Sequence, residues 1–182
     1  MENNKKLSIN GWIYLDKPLG MTSNKLLQKV RRLFQNCKAG YVGTLDPMAS
    51  GFLPVALGKA TKTIKYIERS SKEYIFTVNW GVKTNTGDLE GEILANNAMI
   101  PSGSDINRCI KLFLGKIKQK PSKFSAIKVN GERAYKLARQ GLEFDLKKRN
   151  IEIYDFKLIK YLSNSQSQFY VNSSSGTYIR TL

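Results

Sequence analysis

Residues 43 to 51 read GTLDPMASG, which sets one carboxylate, Asp46, among small residues with Pro47 beside it and a glycine at either end. Alone, Asp-Pro is a common turn former: the acid caps neighbouring N–H groups and proline fits the start of a helix. The surroundings point further. A residue before proline is biased toward extended geometry, and Gly43 and Gly51 allow another chain to approach the backbone closely. Thirty Lys and Arg against fourteen Asp and Glu give a formal charge of +16, which suits a polyanionic partner such as nucleic acid. A carboxylate offered on a loop of such a protein is electrostatically wrong for holding phosphate. It can instead act as nucleophile or base on an unstacked nucleotide.

Histidine is absent. That excludes Ser-His-Asp and Cys-His catalysis and leaves no credible zinc site, so acid–base work falls to carboxylates, Lys, Tyr, Ser, Thr or Cys. No cofactor motif is present, and neither a cofactor nor a metal is expected. Cys37 and Cys109 lie far apart, form no CxxC pair and read as reduced core thiols of a cytoplasmic protein. The start, MENNKKLSINGWIYLDKP, has no adequate apolar run before Asp16, so neither a signal peptide nor a membrane span is expected. At 182 residues and 41% apolar, the chain fits one folded domain rather than a disordered basic tail.

The elements that must carry these residues follow from periodicity. GWIYLDKPLG reads as a short strand breaking at Pro18 and Gly20. Thr22-Ser23 can cap a helix whose apolar stripe is Leu26, Leu27, Val30, Leu33 and Phe34, with Lys25, Lys29, Arg31 and Arg32 largely off it. FLPVALGKATKTIKYI reads as a short buried stretch followed by a helix ending before Ser70-Ser71. EYIFTVNWG alternates, with Tyr74, Phe76, Val78 and Trp80 on one face. TNTGDLEG is a polar turn, GEIL a returning strand, and NNAMIPSGS a surface linker after which Ser104 caps a helix carrying Ile106, Cys109, Ile110 and Phe113. KPSKFSAIKVNGERAYKLARQG mixes aromatics with cations before a short helix closed by Gly141. NIEIYDFKLIKYL and QSQFYVNSSSGTYIRTL read as two more strands. The hairpin signals favour α+β over a doubly wound parallel sheet. The end at Thr181-Leu182, without a polar tail or cap, reads as a chain missing its C-terminal part.

Five stretches together resemble one family. GTLDPMASG closely resembles the catalytic-aspartate motif of TruB-type tRNA pseudouridine synthases, and GWIYLDKPLGMTSN resembles the N-terminal motif of that family. SKEYIFTVNWGVKTNTGDLEG is similar to its tyrosine-bearing strand and turn. KPSKFSAIKVNGERAYKLARQG resembles the insertion, about residues 121–150, that grips the T loop of tRNA. SSSGTYIRTL is similar to the motif supplying a tyrosine and an arginine. In family order they span about 170 of the 182 positions. The resemblance implies that Asp46 is the catalytic aspartate, that Tyr74 stacks on the target base, that Tyr178 contacts substrate and that Arg180 pairs with the aspartate. Asp88 falls where the family has an acid near the flipped base, while Lys17 and Pro18 match scaffolding of the cleft. From the residues alone, the two tyrosines read as packing residues, Arg180 as a surface cation and Asp88 as a turn acid.

The resemblance also implies a pseudouridine synthase fold: α+β, with a mixed, largely antiparallel sheet flanked by helices and an RNA cleft. The implied reaction converts uridine to pseudouridine at position 55 of the T loop, by a monomer whose partner is tRNA and not a membrane. There are two departures. Tyr41 stands where many members carry histidine; it can stack on a nucleotide and hydrogen-bond but supplies no imidazole chemistry. Relatives also continue into a further helix and a PUA domain, for which this sequence has no counterpart. The charge and aromatics suit equally a non-catalytic tRNA-binding or tRNA-folding module in which Asp46 is structural.

Overall fold

The computed structural model describes residues 9–67, 69–97 and 99–182, which group into two compact units, one running to Ser70 and the other Ser71–Leu182. The reading of the N-terminus as neither signal nor span falls largely on residues 1–8, and one linker position is Ala98; these lie outside the described residues. Among the described residues no helix is long and apolar enough to cross a membrane.

The first unit contains β1 (Gly11–Lys17), α1 (Ser23–Leu33), β2 (Ala39–Tyr41) and β3 (Gly51–Leu57), then a 3₁₀ stretch Gly58–Thr63 and the single turn α2 (Ile64–Ile67). The three strands form one antiparallel sheet in the order β1-β3-β2. Pro54 stands in the middle strand but lies one step past the β2 pairing, where its carbonyl accepts the Val42 N–H at 3.0 Å. Proline lacks a ladder donor, and its position just beyond the paired stretch makes that lack tolerable. Thr22 caps α1, accepting the Lys25 N–H at 3.1 Å. Leu27 and Val30 pack on Leu53, Val55 and Leu57, which are almost wholly buried. Each such side chain contributes about 1.5–3 kcal/mol of transfer free energy.

Two expectations here need correction. Leu33 is 80% exposed instead of completing the α1 stripe, because the helix ends there and Phe34 takes the core position. Most of residues 58–67 is 3₁₀ rather than α-helix; Thr61 and Thr63 each donate a hydroxyl to the carbonyl three residues back, Gly58 and Ala60, in competition with a regular ladder. Arg31 is half-buried and works at the helix end, donating from Nε to the Cys37 carbonyl at 3.2 Å.

The second unit contains β4 (Lys72–Asn79), β5 (Val82–Thr84), β6 (Ile93–Asn96), α3 (Gly103–Phe113), β7 (Gly115–Gln119), β8 (Lys128–Val129), β9 (Glu132–Arg133), α4 (Ala134–Arg139), β10 (Arg149–Ser163) and β11 (Gln166–Ser173). Its main sheet runs β4-β11-β10-β7, and β5-β6 and β8-β9 are separate hairpins. Every pairing among the described residues is antiparallel, so the α+β class holds with its strands divided among four sheets. The alternation read in β4 is real: Tyr74, Phe76 and Val78 lie half-buried while Glu73, Ile75 and Thr77 are exposed. Ile106 and Ile110 of α3 cover that face around Phe169, whose ring sits 5.6 Å from Phe76 and 5.8 Å from Phe156. The cap of α3 is Ser102, in a capping box with Asp105, not Ser104. The Ser102 bonds hold the Asp105 carboxyl below its usual range. Cys109 is exposed and Cys37 intermediate, so neither is a fully buried core thiol.

Trp80 ties the end of β4 to β11 by donating from Nε1 to Ser167 Oγ at 2.8 Å, and Ser167 is 0% exposed. Trp80→Phe would leave that hydroxyl buried without its donor, with an expected loss of about 2 kcal/mol in urea unfolding. Adding Ser167→Ala should recover part of it. A double variant no more stable than the single one would refute the pairing as the cause.

Candidate active site

Asp46 lies half-buried on the loop between β2 and β3, and that loop is fastened to the turn between β1 and α1. The Gly20 N–H donates to the Pro47 carbonyl at 2.9 Å. Ser23 Oγ donates to the Leu45 carbonyl at 3.1 Å and accepts the Leu45 N–H at 3.0 Å. Downstream the Ala49 N–H closes a tight turn on the Asp46 carbonyl at 3.0 Å. Gly20 has φ +74°, a conformation that a side chain would strain, so glycine is needed where the turn presents its N–H.

Lys17 ends β1 with no exposed surface. Its Nζ donates to the Pro18 carbonyl at 2.9 Å and the Met21 carbonyl at 2.6 Å. Burial lowers its pKa from the ordinary lysine value, and the nearby Asp46 charge opposes that shift. A buried cation must be hydrogen-bonded and compensated, and here two carbonyls and one carboxylate do both. Tyr41, at the end of β2, is half-buried against the Leu27–Val55 cluster. Lys17, Asp46 and Tyr41 thus all belong to the first unit, with Lys17 near enough to feel the Asp46 charge.

The second unit holds the other candidates. Tyr74 packs on β4 against Ile151, Ile153 and Val171, as does Ile179. Tyr178 is held by its backbone: its N–H donates to Gln119 Oε1 and its carbonyl accepts from Gln119 Nε2, both at 2.9 Å. Arg180 is a tether rather than a surface cation, its side chain only 13% exposed. Its guanidinium donates to the Thr86 carbonyl at 3.0 Å, Ser122 Oγ at 3.3 Å and the Phe124 carbonyl at 2.9 Å, and stands 3.7 Å from Asp88 Oδ2. It therefore ties the turn after β5 to the loop after β7. Asp88 also behaves as the turn acid the residues suggested, accepting from Thr86 Oγ1 at 2.6 Å and the Glu90 N–H at 3.0 Å. Gly87 (φ +76°) lets the turn press on Arg180, since a Cβ there would meet the Arg180 carbonyl oxygen at 2.9 Å.

Three side chains that hold this machinery were not singled out for chemistry by the sequence: Ser23, Gln119 and Ser122. All three are buried polar residues. Ser23 reads only as part of a helix cap, and Gln119 gives no signal because its partner is 59 positions away. The segment read as gripping RNA is folded: it holds β8, β9 and α4, with Ser122, Ser125, Ala134 and Leu146 buried and Lys120 paired to Asp145 at 2.6 Å. Beside it an open cavity of ≈ 640 Å³ is lined by Lys83, Lys118, Lys120 and Lys123 among others.

The chain is similar to known proteins along most of its length. A family model described as TruB family pseudouridylate synthase (N terminal domain) matches residues 31–179. The protein named tRNA pseudouridine synthase B from Wolbachia pipientis subsp. Culex pipiens (strain wPip) is 46% identical over 176 residues, covering 96% of this chain and 50% of that protein. Its namesake from Bartonella henselae is 44% identical over 174 residues, covering 96% of this chain and 54% of that protein. The chain spans about half the length of these curated relatives. Among solved structures, a Cbf5-Nop10-Gar1 complex aligns with TM-score 0.67 at 28% identity, over 97% of this chain and 43% of the matched chain. An H/ACA RNP bound to a substrate RNA containing 2′-deoxyuridine aligns with TM-score 0.64 at 27% identity, over 94% and 40%. With the matching model spanning most of the sequence and the relatives aligned nearly end to end along it, the chain belongs to the TruB family of pseudouridylate synthases.

Proposed function

We propose that this chain carries the Asp46-bearing catalytic part of a tRNA pseudouridine synthase, isomerising uridine to pseudouridine at position 55 of the T loop. The observation that carries the reading is the mounting of Asp46: one carboxylate on a loop bonded through Leu45 and Pro47 to the turn between β1 and α1. A mere turn former would not need that support on both flanks. The relatives' shared name, tRNA pseudouridine synthase B, supports tRNA as the substrate class. The formal charge of +16 and the four lysines around the second unit's cavity suit a phosphate backbone.

The chemistry follows from what the reaction must do. A uracil in a folded loop first leaves its stack, at about a few kcal/mol. Stacking on tyrosine rings offsets this by ~1–3 kcal/mol per ring; Tyr41, Tyr74 and Tyr178 are the candidates. The N1–C1′ bond then breaks, the uracil rotates, and C5 joins C1′. The proton on C5 leaves and N1 takes one up, so nothing is oxidised and no group donor is consumed. Asp46 serves as nucleophile or base at this step.

The loss of the C5 proton gives the test. Release of tritium from transfer RNA labelled at C5 of uridine is expected with this chain, and release confined to position 55 fixes the site. A folded chain that binds the T arm yet releases no tritium would instead support the binding-module reading, with Asp46 structural.

A further inference from the structure

Ser23 is 1% exposed, and its hydroxyl is used twice on a single residue. Oγ both donates to the Leu45 carbonyl and accepts the Leu45 N–H, at 3.1 and 3.0 Å across 22 positions of sequence. The start of α1 does not require it, because Thr22 already caps the helix. Leu45 directly precedes Asp46. On the other flank, the Pro47 carbonyl accepts the Gly20 N–H. The aspartate is thus bracketed by two backbone attachments to residues 20–23, inside a loop whose glycines, Gly43 (φ +74°) and Gly51 (φ +127°), would otherwise leave it free to adopt many conformations.

We propose that Ser23 is a positioning residue for Asp46: its hydroxyl sets the Leu45 peptide, and through it the direction in which the carboxylate meets the target nucleotide. The inference rests on Asp46 being the reacting group in the function proposed above. A hydroxyl on a one-carbon arm can donate to one and accept from the other of the two peptide groups that flank Leu45, which neither alanine nor an apolar residue can do. With its side chain buried, Ser23 is out of a substrate's reach and acts on the rate through Asp46. Displacing a reacting group by about 1 Å can lower a rate ~100-fold. The effect on RNA affinity should be small, because one neutral hydroxyl leaves the cationic surface unchanged.

The test combines single-turnover rates and T-arm stem-loop affinity for the wild type, Ser23→Ala and Asp46→Asn with hydrogen exchange at the Leu45 amide. The wild-type Leu45 amide should be protected, and Ser23→Ala should speed its exchange. The rate should fall by roughly 10–100-fold, with affinity within about twofold of wild type. A residue that only stabilised the fold would lower the folded fraction without changing the rate per folded molecule well below the melting temperature. Wild-type turnover in folded Ser23→Ala, with Asp46→Asn inactive, overturns the positioning role and leaves the functional reading intact. An unprotected Leu45 amide in the wild type overturns the clamp itself, with no need for the variant to fold. Wild-type chain that binds RNA without turnover strikes the functional reading and with it the role assigned to Ser23.

Discussion

Asp46→Asn is expected to lower pseudouridine formation by roughly 10⁴-fold or more, the scale seen when a group central to the chemistry is removed. Affinity for tRNA should stay within about tenfold, or 1.4 kcal/mol, because thirty cations steer binding and one carboxylate hardly alters their sum. The amide keeps the shape of the side chain, so the Leu45 and Pro47 attachments, both of which hold the loop by its backbone, should persist. One consequence reaches beyond the chemistry. The Asp46 charge works against the burial that lowers the Lys17 pKa, so removing it should lower that pKa further and make the protonated lysine less stable in place. The variant should therefore be somewhat less stable as well as inactive. Turnover near wild type in single-turnover tritium release would remove Asp46 from the mechanism.

Arg180→Met should lose both stability and activity. The guanidinium bonds two backbone carbonyls and a serine hydroxyl and faces Asp88, with the two charged side chains 13% and 18% exposed. Methionine fills a similar volume but leaves the Thr86 and Phe124 carbonyls without this donor and the acid without this countercharge. The expected loss is ~2–4 kcal/mol, read as a lower urea midpoint with an unchanged slope. Arg180→Lys should recover only a minor part, since one ammonium cannot reproduce a planar fork that reaches both loops. Adding Asp88→Asn to Arg180→Met should restore some stability by removing the uncompensated charge. Equal midpoints for wild type and Arg180→Met would show that the two loops hold together without it.

The motifs were legible because their signals are local. The apolar/polar alternation of Tyr74, Phe76 and Val78 against Glu73, Ile75 and Thr77 needs only the two-residue period of a strand, and the structure reproduces it. Thr22 capped its helix as expected, and Gly141 follows α4 with φ +70°. The cap of α3 was misplaced by two residues because Ser102 and Ser104 are chemically alike; the carboxylate three positions after Ser102 decides between them. Leu33 and Cys109 were misplaced for another reason. Helical periodicity states which face a residue is on, not whether the neighbouring element extends far enough to cover it.

By itself the sequence determined the class of the protein: α+β, strongly basic, with a lone acid on a glycine-bounded loop and motifs in the order of one enzyme family. Residue type and short spacing were enough for this, since turn chemistry, strand alternation and net charge depend on near neighbours. Tertiary structure alone decided what holds the candidates. Ser23 reaches Leu45 across 22 positions, Gln119 reaches Tyr178 across 59, and Arg180 reaches Thr86 across 94. No periodicity connects such pairs, because they meet only after both partners are folded into place. Once there, burial makes each hydrogen bond obligatory, since a polar group removed from water without a partner costs about 1–3 kcal/mol.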